Sequence, residues 1–257
     1  MHFRNEYPRP QLKRDEWMTL NGNLQFCFGE EVSDKIAAAD GKSFKTVNLY
    51  IGGCPLKTHY YNILENNAAY DFQFNGESTR LKVSIKQVLM SDDWDAVTFQ
   101  QVSQAAPHFA TYEPYLSALA DYVRTYLPHT NFYMHQTWAY EADSERLKNA
   151  GFDTPQKMLE HIRAAYQAAA DRIGACGIIP SGDAMFKALE NGMETVHRDT
   201  FHASLGFGRY LLGLVWYGFF TGNSVKHIPF DAFDVPVSEK EREIAARTAA
   251  EVLGQNL

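Results

Sequence analysis

The sequence predicts an α/β protein in which helices cover both faces of a parallel sheet. Three observations carry that reading. Short apolar runs at residues 46–51, 96–99, 131–135 and 177–180 are continuous rather than alternating, as strands buried on both faces are. Stretches with helical periodicity separate them, as crossover connections require. Strict alternation occurs at Tyr70-Asp71-Phe72-Gln73-Phe74, followed by Asn75-Gly76, the strongest short hairpin signal, so a β-hairpin belongs at the sheet's periphery.

Residues 1–21 are polar, carry Pro8 and Pro10 and show neither period, which reads as an extended arm. Residues 24–28 give a short strand pattern, and Gly29 opens a helix over residues 30–39 with acidic residues in its first turn. The strand at 46–51 stops at Gly52-Gly53, and helix signals follow over 58–66; the hairpin ends near Ile85. After the 96–99 run, Leu116, Leu119, Val123 and Tyr126 share one face of a helix. Pro128 breaks the chain before the 131–135 strand. Thr154-Pro155 is an N-cap with proline at the first helical position, and Leu159, Ile162, Tyr166, Ala169 and Ile173 form the apolar face that follows. Residues 184–189 and 207–219 read as helical, and 238–253 as a terminal helix opened by the capping-box pair Ser238 and Glu241. The whole of 1–257 reads as one domain, with 1–29 an atypical arm and strand.

Composition narrows the function classes. The 257 residues are 45% hydrophobic and 21% charged, enough for a large core, and no apolar run reaches the roughly 18 residues of a membrane span. A net charge of −7 with no basic cluster argues against nucleic acid and anionic membranes as partners, and favours a small molecule or neutral polymer. Cys27, Cys54 and Cys176 are odd in number and match no zinc spacing, which reads as three small buried hydrophobes, with neither metal nor organic cofactor expected. Residues 1–6 lack a leader pattern, so the chain as written reads as cytoplasmic, or as periplasmic or secreted if a leader has been lost. Oligomeric state is open.

In an open parallel sheet, ligands bind beyond the carboxyl ends of the strands. That directs attention to residues 29–33, 52–59, 100–104, 135–140 and 181–183. In His197-Arg198-Asp199-Thr200-Phe201-His202, the three-residue spacing lets Asp199 accept the Nδ1 hydrogen of His202 and leave Nε2 as a base; a solvated helix cap is the alternative. Amides crowd the strand end at Gln100, Gln101 and Gln104, where they and the Gly52-Gly53 N–H groups can face an oxyanion or else satisfy their own loop. His135, Trp138 and Tyr140 either floor a sugar-sized pocket or form a core edge.

Taken in order, the blocks at 48–56, 94–101, 135–140 and 197–202 resemble the SGNH/GDSL hydrolase superfamily, and in particular a bacterial branch of SGNH-like proteins, over roughly residues 30–225. The resemblance implies a flavodoxin-like three-layer α/β/α sandwich that hydrolyses esters, often acetyl groups on carbohydrates. It implies His202 as base, Asp199 as its partner, and Gly53 with Gln104, or Gln101 nearby, at the oxyanion. The first block departs from the pattern. Gly22-Asn23-Leu24 puts leucine at the nucleophile, and Gly29-Glu30-Glu31-Val32-Ser33 puts Glu31 there, with Ser33 two residues on. Ser33 or Cys27 stands as nucleophile, or Glu31 activates water, or the chain binds a glycan or acyl ligand without turnover. Residues 7–11, Trp17 and 20–26 resemble instead the opening of the β-sandwich glycosidases of glycoside hydrolase family two, as a fusion or rearrangement would produce.

Overall fold

The computed structural model describes residues 17–23, 30–233 and 235–255, with side chains from Ser33 onward. Its seven strands are β1 (Trp17–Asn23), β2 (Ser43–Tyr50), β3 (Tyr70–Phe74), β4 (Glu77–Val83), β5 (Ala96–Phe99), β6 (Asn131–His135) and β7 (Gly177–Ile179). They form one sheet in the order β4-β3-β2-β1-β5-β6-β7. From β2 to β7 all pairings are parallel, while the β3–β4 hairpin adds to the β2 edge antiparallel. The five parallel strands therefore run 2-1-3-4-5, the flavodoxin-like doubly wound order, whose direction of winding reverses between β1 and β5.

Helices fill both faces. On one lie α2 (Leu56–Glu65), α3 (Ile85–Leu89), α4 (Tyr115–Tyr126) and α6 (Pro155–Ile173); on the other lie α1 (Glu30–Ala39), α7 (Ser181–Glu190), α8 (Phe207–Thr221) and α9 (Glu239–Val252). A short α5 (Glu145–Asn149) follows β6. The first face packs Val97, Phe99, Leu116, Leu119, Ile162 and Tyr166, with Phe99 edge-on to Phe132 at 5.2 Å. The second packs Ile36, Leu211, Leu212, Val215 and Ile244. Helix α8 is apolar nearly all round because α1, α7 and α9 enclose it, leaving few of its residues in water.

The expected caps are present. Thr154 Oγ1 accepts the Lys157 N–H at 3.3 Å, and Ser238 with Glu241 forms the capping box of α9. Among the described residues no helix is long and apolar enough to cross a membrane.

Several expectations need correction. The arm over 1–21 ends in a strand: residues 17–23 fill the slot between β2 and β5, where backbone partners on both sides outweigh the weak strand propensity of Asn21-Gly22-Asn23. The strand expected over 24–28 lies outside the described residues. Helix α2 starts at Leu56, directly after Pro55 at its N-cap, and residues 181–183 form the first turn of α7 rather than a loop. Cys54 is buried as expected, Cys176 is exposed, and Cys27 lies outside the described residues.

Gly182 links fold to site. A Cβ there would run into the Thr137 carbonyl oxygen, which is backbone and cannot swing away. Gly182→Ala should cost about 1–3 kcal/mol, at the upper end because backbone must move. A urea titration checks this, and an unchanged midpoint would contradict the close approach.

Candidate active site

Four loops meet at the carboxyl ends of the parallel strands around a cavity of about 320 Å³. The loop after β2 brings Gly52, Gly53 and Cys54; the loop after β5 brings Gln100, Gln101, Val102, Ser103 and Gln104. Thr137 and Trp138 come from the loop after β6, Arg146 from α5, and Phe201 and His202 from the turn ahead of α8.

Asp199 and His202 form a closed unit. The His202 backbone N–H donates to Asp199 Oδ1 at 2.8 Å, and His202 Nδ1 lies 2.8 Å from Oδ2. With Nδ1 committed to the carboxylate, Nε2 is the ring's basic position, as a general base requires. Partial burial pushes the Asp199 carboxyl upward, but hydrogen bonds from the His202 ring and backbone outweigh it, so its pKa falls below the usual value. A carboxylate so held stays ionised and stabilises an imidazolium beside it.

The turn that carries this pair is fixed from the β6 side. The Trp138 indole N–H donates to the Phe201 carbonyl at 2.7 Å, and the Glu141 N–H donates to the Thr200 carbonyl at 2.9 Å. Thr200 itself takes a left-handed φ of 68°, which lets the chain reverse between Asp199 and His202. Across the cavity, Gly53 also has a left-handed φ, 62°, in the loop that leads into α2. Glycine adopts that conformation without a Cβ penalty.

Of the residues singled out in the sequence, the structure brings His202, Gly53, Gln101, Gln104 and Trp138 to the cavity wall, with Asp199 behind His202. It does not bring Ser33, His135 or Tyr140 there. Ser33 is fully buried in α1, where the helical phase sets it on the same inward stripe as Ile36 and Ala37, so it is not presented as a nucleophile. Cys27 and the Glu31 side chain lie outside the described residues.

Two further corrections concern bonding. His135 is completely buried, with Nε2 2.8 Å from Ser181 Oγ and accepting the Trp216 indole N–H at 3.2 Å, so it supports the site from within the core instead of touching a ligand. Tyr140, also buried, donates its hydroxyl to Ser103 Oγ at 2.8 Å and pins the loop after β5. The side-chain amide of Gln101 donates to Thr111 O and Oγ1 at 3.0 and 3.2 Å, while its carbonyl accepts the Leu56 and Val102 N–H groups. Gln101 thus knots two loops together, and Gln100, buried, and Gln104, exposed, are the other two amides on the wall.

Sequence reasoning assigned no role to Ser103 or Arg146, both on the wall. Ser103 sits inside the amide-rich block and was legible as a hydroxyl among glutamines. Arg146 lies on a short polar helix, and its packing on Phe201, 3.9 Å from guanidinium carbon to ring centroid, is a long-range contact with no local signal. Burial pushes the Cys54 thiol up to about 12 despite a hydrogen bond with Thr58 that opposes the shift, so the one described thiol on the wall stays protonated near neutral pH. Among the described residues no group of three or more His, Cys, Asp or Glu gathers as a metal site would need.

The DUF4886 family, a domain of unknown function, matches residues 28–252. The chain belongs to this family. A crystal structure of a DUF4886 family protein from Bacteroides uniformis superposes with a TM-score of 0.85 at 27% identity, covering 94% of this chain and 97% of that one. A candidate GDSL-like lipase from Parabacteroides merdae superposes with a TM-score of 0.50 at 15% identity, covering 84% and 99%, a likeness of fold. No curated protein matches the sequence. The DUF4886 match begins at residue 28, and none of these comparisons supports the resemblance of the opening segment to family-two glycosidases.

The buried histidines set a pH dependence. Burial pushes both His59 and His135 down to about 3, against about 6.5 in an unfolded chain. Between those values the unfolded chain takes up protons that the fold refuses, so stability is full above about pH 6.5 and is lost as pH falls through the window. The loss should be about 2 kcal/mol per histidine by pH 5. Urea midpoints between pH 7.5 and 5 test it, and a flat profile would contradict neutral burial.

Proposed function

We propose that this DUF4886 protein hydrolyses short acyl esters, acetyl above all, carried on a carbohydrate. The Asp199–His202 pair at the wall of a cavity opposite Gly53 carries the reading. It supplies an oriented base beside backbone N–H groups and the Gln104 amide, which can face the oxyanion that develops on an acyl carbon under attack. The attacking oxygen belongs to water or to Ser103, a hydroxyl on the wall. In the covalent route Ser103 Oγ bonds to the carbonyl carbon as His202 Nε2 takes its proton. The alcohol then leaves with that proton, and water repeats the sequence to release the acid. In the water route His202 deprotonates the water, and no ester to the protein forms.

The placement of Ser33 on the buried face of α1 favours a second reading, in which the same cavity holds an ester without turning it over. Aryl acetate turnover separates the two. His202→Ala should lower kcat/KM by about 10²–10⁴-fold, the range for a lost general base, and Ser33→Ala should leave it unchanged. Equal rates in wild type and His202→Ala would remove hydrolysis by this mechanism and leave the binding reading. A burst of aryl alcohol, lost in Ser103→Ala, would mark the covalent route.

A further inference from the structure

We infer that Arg146 recognises a carboxylate on the alcohol portion of the ester, so that the substrate is an acyl ester of an acidic sugar or other acidic polyol. This rests on the hydrolase reading of the same cavity only for the word substrate; the anion site itself rests on the lining chemistry. The chain carries a net charge of −7, yet the cavity wall holds one guanidinium, one imidazole, several amides and, among the described residues, no carboxylate. With His202 the neutral base, Arg146 is the one charged side chain among the described residues of that wall, and a concave site with low-dielectric walls concentrates ligands of the opposite sign.

Arg146 is also positioned rather than dangling. Its guanidinium lies over Phe201, whose ring in turn lies 3.8 Å from the His202 ring and edge-on to Tyr140 at 6.0 Å. Among the described residues no carboxylate forms an ion pair with it. A guanidinium carried over an aromatic face still has N–H groups to offer a planar, two-oxygen acceptor, which fits carboxylate geometry.

Position decides which half of the ester bears the charge. Arg146 and Gln104 line both the cavity beside His202 and a second, larger polar groove of about 490 Å³ that continues over Tyr140, Glu145 and Asn149. An acetyl group needs none of that space, so the groove accommodates the alcohol portion, with Arg146 at its entrance. Glu145 and Asn149 offer hydroxyl partners further along, as a polyol requires.

The test compares 4-acetoxybenzoate with its neutral isostere 4-acetoxybenzamide. Wild type should prefer the carboxylate by at least about tenfold in kcat/KM, as expected for a charge-assisted contact, and the preference should shrink with added salt. Arg146→Gln should bring the ratio close to one, and Arg146→Lys should restore part of it. A wild-type ratio near one, or a ratio unchanged in Arg146→Gln, would overturn the inference. Binding of the non-hydrolysable 4-acetamidobenzoate and 4-acetamidobenzamide, followed by NMR titration, keeps the two proposals apart. Selective, Arg146-dependent binding of the benzoate without ester turnover would sink hydrolysis and sustain the anion site; equal binding of both amides would sink the anion site.

Discussion

The geometry of the cavity depends on a neutral imidazole sealed inside the protein. His135 ends β6, and its Nε2 accepts from the indole of Trp216 on α8 while lying within hydrogen-bond distance of Ser181 at the start of α7. An accepting Nε2 places the ring proton on Nδ1, and burial keeps the second proton away. Two of the four helices on that face, α7 and α8, are thereby tied to the strand end from which the next loop departs. Each following residue is then fixed in turn. Gln136 exchanges hydrogen bonds with Asp183, Thr137 abuts Gly182, and Trp138 holds the Phe201 carbonyl next to His202. A chain of short contacts therefore runs from the core to the base.

The motif at 197–202 contains two histidines, and their surroundings give them different work. His197 is buried; its Nδ1 meets Glu141 at 3.1 Å, and burial outweighs the nearby carboxylate to push its pKa down. It pairs with Ala203 in an isolated bridge that closes the base of the turn. His202, on the returning side of the turn, is about a third exposed and opens on the cavity. Similar carboxylate–imidazole pairs thus yield a clasp in one case and a candidate base in the other. Access to solvent makes the difference.

Periodicity made most of the architecture legible. Helix α6 announces itself through Thr154-Pro155 and its apolar stripe, and the hairpin through Asn75-Gly76, because those signals are local. Strand β1 was misplaced because Asn21-Gly22-Asn23 has little intrinsic strand character and owes its conformation to neighbours distant in sequence. The Asp199–His202 pair was readable from a three-residue spacing. The bonds that assign Gln101 to Thr111, or Tyr140 to Ser103, depend on loops folded against one another. Such pairings leave the glutamine and tyrosine looking equally available in sequence, and only the folded chain shows which are spent.

The position of β1 carries a consequence for how the molecule holds together as one body. Its residues precede the start of the DUF4886 match at residue 28, yet they occupy the middle of the sheet. Remove that strand and the parallel array divides into two half-sheets, β2 with the hairpin and β5 to β7, each with a raw inner edge of unpaired amides and carbonyls. A stretch of chain ahead of the family match is thus the seam that joins the Gly53 side of the cavity to the His202 side. Whatever side chains it carries, that stretch must present a backbone able to hydrogen-bond in two directions at once.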